Sequence, residues 1–244
     1  EIAPQLSAHN DEILLNEKLF NRVENIFKNK ENLTLDSESL RLLEETYKSF
    51  IRSGAQLSVD DKEKLKQINE SIAQNTTTLT QNVLKEVNEL AIVVDNRNEL
   101  DGLSESMIEV LSQEAIKRGL DDKFVITLQN TSGQPILANL KNRKLREKIH
   151  KTSLSRGSSG GEFDNKESFL NLIKLRTQKA NLLGFNNYAE YSLDEQTAKT
   201  VEAVNERLAS LTPPSVRNAN KEAIELQKII NSEDNNFKLE SWDW

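Results

Sequence analysis

The sequence predicts a mainly α, multi-helical protein carrying a few short β-strands. Three observations lead there. Only eight Gly and four Pro punctuate 244 residues, and sparse punctuation favours long helices over many short strands. Most apolar residues recur three or four positions apart, the spacing that lines one face of a helix. Runs rich in β-branched residues, the mark of strands, occur only at Ala91–Asp95 and Phe124–Leu128.

Residues 6–27 place Leu6, Ile13, Leu19, Phe20, Val23 and Phe27 at helical spacing. Residues 37–53 repeat it with Leu40, Leu43, Tyr47, Phe50 and Ile51, and Gly54 supplies the left-handed stop. Ser58, followed three positions on by Asp61, reads as an N-cap. The helix it starts runs to about Leu90, with Leu65, Ile68, Ile72, Leu79, Val83 and Val87 as a stripe suited to a helical hairpin. The polar stretch Asn75–Thr78 interrupts that stripe. The two strand-like runs are separated by a helix capped at Ser104 and ended at Gly119; whether the strands pair stays open. From Pro135 the chain is helical again, with Leu137, Leu140, Leu145 and Ile149 on one side. A flexible loop at Gly157–Gly161 precedes an amphipathic helix from about Asn165 to Leu183 that uses Phe169, Leu172, Ile173, Leu175 and Ala180, with Gly184 as its stop. Pro213-Pro214 is expected to break the next helix, with a further one over 215–231. The tail holds both tryptophans, Trp242 and Trp244, which need a surface to bury against. The elements are expected to form one helical domain over 1–244, with sub-regions at 1–90 (helical), 91–135 (short strands plus helix) and 136–244 (helical).

A net charge of −7 repels phosphate backbones, which disfavours nucleic acid as a partner. The absence of Cys removes disulfides and thiolate metal ligands. The longest aliphatic run, Ala91-Ile92-Val93-Val94, is far short of the roughly 20 residues that cross a bilayer, so no membrane partner is expected. No signal peptide is visible, and the expected setting is soluble, in the cytoplasm or a bacterial periplasm. Because the first residue is Glu1 rather than Met, the chain reads as cut from something longer.

Candidate chemistry is thin. A hydrolytic zinc site needs about three convergent nitrogen or oxygen ligands, commonly two His on one helical turn. His9 and His150 are the only histidines, and each is far from the other in sequence. Gly157-Ser158-Ser159-Gly160-Gly161 matches the G-x-S-x-G pattern of a nucleophile elbow, but that chemistry requires a strand before the Ser and a helix directly after it. A basic helix precedes this segment and a polar loop follows. Lys141–Arg156 is locally basic, with Arg143, Lys144, Arg146, Lys148 and Lys151 between; without interleaved aromatics it reads as a solvated helix face. Sequons at Asn32, Asn69, Asn75 and Asn130 follow from an Asn-rich composition, two of them inside the long helix. The residues alone therefore point to no catalytic residue and no metal ligand, and leave any substrate-binding residue unknown.

Five segments carry a resemblance: AHNDEILLNEKLFNRV (8–23), SGAQLSVDDKEKLKQINE (53–70), QNVLKEVNELAIVVDNRNELDGLSE (81–105), FVITLQNTSGQPILANLKNRKLREKIHKTSLSRG (124–157) and LIKLRTQKANLLGFNNYAEYSL (172–193). In this order the chain resembles the thimet-oligopeptidase family of zinc metallopeptidases, above all its bacterial peptidyl-dipeptidase members. The resemblance implies the helical thimet-oligopeptidase/neurolysin fold, two halves around a channel that admits short peptides, and release of C-terminal dipeptides. It also places the zinc motif H-E-x-x-H in a C-terminal half beyond the point that Trp-Asp-Trp resembles, and a further helical segment before Glu1. On that reading this chain is a non-catalytic wall of the channel. Its partners are the catalytic half of the same protein and short peptides, zinc belongs to the full-length enzyme, and none is bound by this chain. The strands and the turn 130–135 are the candidate channel-facing edge. The alternative is a non-catalytic helical scaffold that binds a partner protein; an H-E-x-x-H downstream in the coding sequence separates the two.

Overall fold

The computed structural model describes residues 2–129, 136–233 and 237–244. It is mainly helical, as the periodicity predicts, and the chain divides into two compact units, Glu1–Thr80 with Glu167–Val204, and Gln81–Lys166 with Asn205–Trp244.

The first unit opens with α1 (Ala3–Leu14) and α2 (Glu17–Lys28). The helical spacing over 6–27 does not produce one helix, because the Asn16 side chain accepts a hydrogen bond from the Leu19 N–H at 2.9 Å and caps a second one. α3 (Ser37–Arg52) is capped in the same way by Asp36, which accepts from Ser39 N–H at 2.8 Å. Gly54 follows at φ +95°, as its position predicts. Phe20, Phe50 and Ala55 form the core between these helices, extended by Tyr47, whose ring stacks on Phe27 at 4.0 Å.

α4 (Val59–Glu89) starts where Ser58 predicts: the Ser58 hydroxyl accepts from Asp61 N–H at 3.2 Å and donates to the Asp61 carboxylate at 2.9 Å. It runs on through the polar stretch Asn75–Thr78 to Glu89, close to the expected end at Leu90. Asn75, Thr77 and Thr80 each donate to the carbonyl four residues earlier, so their side chains bond within the helix instead of competing with it. The remaining first-unit elements are α7 (Lys166–Leu182), whose opening residue falls in the second unit, and the short α8 (Tyr188–Leu193). α7 buries Leu172 and Ala180, whereas Phe169 and Ile173, expected on its inner face, are exposed. Arg52 ties α3 to the end of α8 through the Asp194 carboxylate at 2.7 Å and the Tyr191 carbonyl at 2.9 Å.

In the second unit the two strand-like runs do pair. β1 (Ile92–Val94) and β2 (Phe124–Ile126) are antiparallel, with Ile92 opposite Ile126 and Val94 opposite Phe124. One face of the ribbon rests on α5 (Glu105–Lys117), capped at Ser104 and ended at Gly119 with φ +69°, both as expected. Leu100, Leu111, Ile126, Leu140, Leu145 and Ile149 belong to the core beneath them, the last two from α6 (Arg143–Leu154). Each such side chain contributes about 1.5–3 kcal/mol by leaving water.

α9 (Val201–Ser232) overturns one expectation. Pro213 and Pro214 lie inside a single helix rather than between two. A proline removes one N–H donor and crowds the preceding turn, but it does not forbid helical φ. Around the pair, Thr212 and Ser215 hydroxyls donate to the Leu208 and Leu211 carbonyls at 2.8 Å. No residue of α9 is buried.

Candidate functional site

The G-x-S-x-G segment has neither strand before it nor helix directly after it. α6 ends at Leu154 and α7 begins at Lys166. Nor is the segment loose, as its glycines suggest. Glu86, only 2% exposed, reaches it from the end of α4. One carboxylate oxygen accepts from the Gly157 N–H, and the other accepts from the Ser159 hydroxyl at 2.5 Å. Asn165 N–H donates to the Gly157 carbonyl at 2.9 Å, and Gly160 N–H donates to Asp164 at 2.8 Å. Ser159 thus donates to the same carboxylate that accepts from the Gly157 N–H, and its hydroxyl helps to hold the turn. Glu86 carries no sequence motif; a lone acid near the end of a polar helix gives no sign of burial.

The basic stretch on α6 is more than a solvated face. Arg143 and Arg146 converge on Asp243, whose side chain is 3% exposed. Arg143 donates to it at 2.8 and 3.0 Å, and Arg146 at 2.8 Å. Arg146 also donates to the Trp242 carbonyl at 2.9 Å and the Leu140 carbonyl at 2.8 Å. The Arg143 guanidinium lies 4.3 Å from the Phe237 ring centre, and the Lys151 ammonium 5.1 Å from Trp242. Burial pushes the Asp243 carboxyl up, but hydrogen bonds from Arg143, Arg146 and the Glu240 N–H outweigh it, leaving the group below the usual carboxylate range. The aromatics absent from the basic stretch come from the tail, about a hundred residues on.

The first unit holds a second polar cluster. Asn69, on α4, donates to Asp11 Oδ1 at 2.8 Å and accepts from the Lys179 ammonium at 2.7 Å. This engages the Asn69 side chain at both its amide nitrogen and its oxygen. Asn75 is likewise engaged, donating to Ser71 and accepting from Asn171 at 3.2 Å. Asn32 is exposed in a short 3-10 turn. The sequon at Asn130 and the turn 130–135 lie outside the described residues.

His9 is exposed on α1, with Glu12 as its acidic neighbour at 3.9 Å. His150, in the other unit, is half-buried with its ring centre 6.0 Å from that of Trp242. Among the described residues no three of His, Asp and Glu come together as a metal-binding group, and no helix is long and apolar enough to cross a membrane.

Sequence comparison defines the class. Residues 136–244 match the description Peptidase family M3, and the whole chain aligns with curated peptidases: the chain belongs to the M3 family of metallopeptidases. It is 34% identical to the dipeptidyl carboxypeptidase of Salmonella typhimurium over 98% of this chain and 35% of that protein. With the dipeptidyl carboxypeptidase of Escherichia coli the identity is 34%, over 100% of this chain and 36% of the relative. Oligopeptidase A of Haemophilus influenzae is 27% identical over 98% of this chain and 36% of its own length. The chain therefore spans about a third of the length of these curated relatives.

Proposed function

We propose that this chain is the non-catalytic helical part of a zinc-dependent peptidyl-dipeptidase, a wall of the channel in which short peptides lose C-terminal dipeptides. The observation that carries the reading is the alignment of the entire chain with about a third of two dipeptidyl carboxypeptidases. Among the described residues no group of His, Asp and Glu gathers to hold a metal ion, and the hydrolytic chemistry is assigned to the remainder of the complete protein. The role of this part is steric and dielectric: a rigid wall excludes folded proteins and water from the bound peptide. The exposed apolar residues of α9, among them Leu208, Leu211, Val216 and Ile224, support docking against that remainder.

The test compares the 244-residue chain and the complete protein containing it, each supplied with zinc and a short peptide, with released dipeptide measured by mass spectrometry. Release by the complete protein and none by the chain is expected. Zinc-dependent release by the chain alone overturns the assignment.

A further inference from the structure

A helix on the surface of a protein normally buries its apolar stripe. α1 does the reverse. Its one buried residue is Asp11, 9% exposed, while Leu6 and Ile13 face solvent and Leu14 is half-buried. Asp11 Oδ1 accepts from Asn69, but Oδ2 is closed off from solvent and has no hydrogen-bond partner. The groups around it come from every neighbouring element. α4 supplies Asn69 and, through the field, Lys66; α7 supplies Lys179, whose ammonium sits 5.7 Å from the ring centre of Tyr191 on α8; Arg52 of α3 opposes the Lys179 charge.

A carboxylate with one oxygen unpaired in such a place costs free energy when charged and much less when neutral. Burial pushes the Asp11 carboxyl up, and the bond from Asn69 and the charges of Lys179 and Lys66 only partly offset it. The joint is also loosely filled. A cavity of about 260 Å³ lies beside the cluster, lined in part by Ser7, Asn10 and Ile72. Immediately after α1, Leu15 and Asn16 form the break before α2, a place where a small change in backbone angle moves the whole helix.

We infer that Asp11 is a proton-dependent latch: with its carboxyl neutral, α1 is seated on Asn69, Lys179 and Tyr191, and with it ionised, α1 swings away about Leu15 and Asn16. The sign follows from linkage. The seated form binds more protons than the open form between the ordinary Asp value of about 4 and the raised one, so the open population grows with pH across that window, by up to about tenfold per pH unit, and levels off above it.

The chain has no Cys, so a fluorine label on an Ala8→Cys variant, at an exposed position of α1, reports seating by NMR line shape from pH 3.5 to 8. The native sequence is expected to show the mobile signal growing with pH and then levelling. Asp11→Asn, a neutral isostere, is expected to keep α1 seated throughout. Lys179→Met removes a cation that favours the charged form when seated, so the open-to-seated ratio is expected to keep growing to higher pH before it levels off. A native profile without pH dependence, or an Asp11→Asn profile with the same slope, overturns the latch. Should Asp11→Asn not fold, Lys179→Met decides: a levelling-off of the open-to-seated ratio left unmoved, or moved to lower pH, overturns it equally.

Discussion

Gly102 and Gly184 both sit at positive φ, +97° and +87°, yet they answer to different constraints. A Cβ on Gly102 would stand 2.1 Å from the Asn139 carbonyl oxygen, and one on Gly184 would meet nothing within 4 Å. Gly184→Ala therefore carries only the backbone cost of a left-handed conformation, about 1–2 kcal/mol. Gly102→Ala adds a collision with backbone that cannot rotate away, and about 3 kcal/mol or more is expected. Chemical denaturation of the two variants checks this, and equal losses would refute the close approach. Gly184 could be read from the sequence, because it ends an apolar periodic run. Glu86 could not: its importance lies in a loop some seventy residues away, and no local pattern records that distance.

Among the elements, the tail clamp shows how a charge pattern changes meaning once the chain folds. Arg143 and Arg146 read as solvent-facing because their carboxylate, Asp243, is remote in sequence. Breaking such a largely desolvated pair from one side leaves charge uncompensated, so Asp243→Asn is expected to release the tail at a cost of about 2–4 kcal/mol. The native clamp has a pH limit of its own. Since the Asp243 carboxyl is held below the ordinary range, its contribution is complete above the unfolded value of about 4 and is lost as pH falls through the folded one. Emission from Trp242 in a Trp244→Phe background reports both effects, and a spectrum indifferent to the substitution and to acid would show that the tail is held otherwise. α4 and α9 make the converse point. Asn75, Thr77 and the proline pair are disfavoured inside a helix by propensity, yet the helices continue through them, with side-chain hydrogen bonds to carbonyls of the preceding turn at or beside each.

At the scale of the whole molecule the exposed apolar side chains matter most. Leu208, Leu211, Val216, Ile224 and Ile229 on α9 and Phe169, Leu170 and Ile173 on α7 all stand open. On the proposed reading the remainder of the complete protein covers such side chains. The folded chain is expected to bind a hydrophobic dye such as ANS at neutral pH and to self-associate with rising concentration, as followed by fluorescence and sedimentation. A dye-silent monomer would argue that these side chains need no cover. Sequence by itself determined the helical class, the caps at Ser58 and Ser104, the glycine stops and the family, because each depends on neighbours within a turn or on the order of whole segments. Tertiary structure alone decided the pairing of Ile92 with Ile126, the burial of Glu86 and Asp11, and the meeting of Arg143 with Asp243. Those depend on which remote groups share a low-dielectric space, and a polar residue looks the same in sequence whether water or protein will surround it.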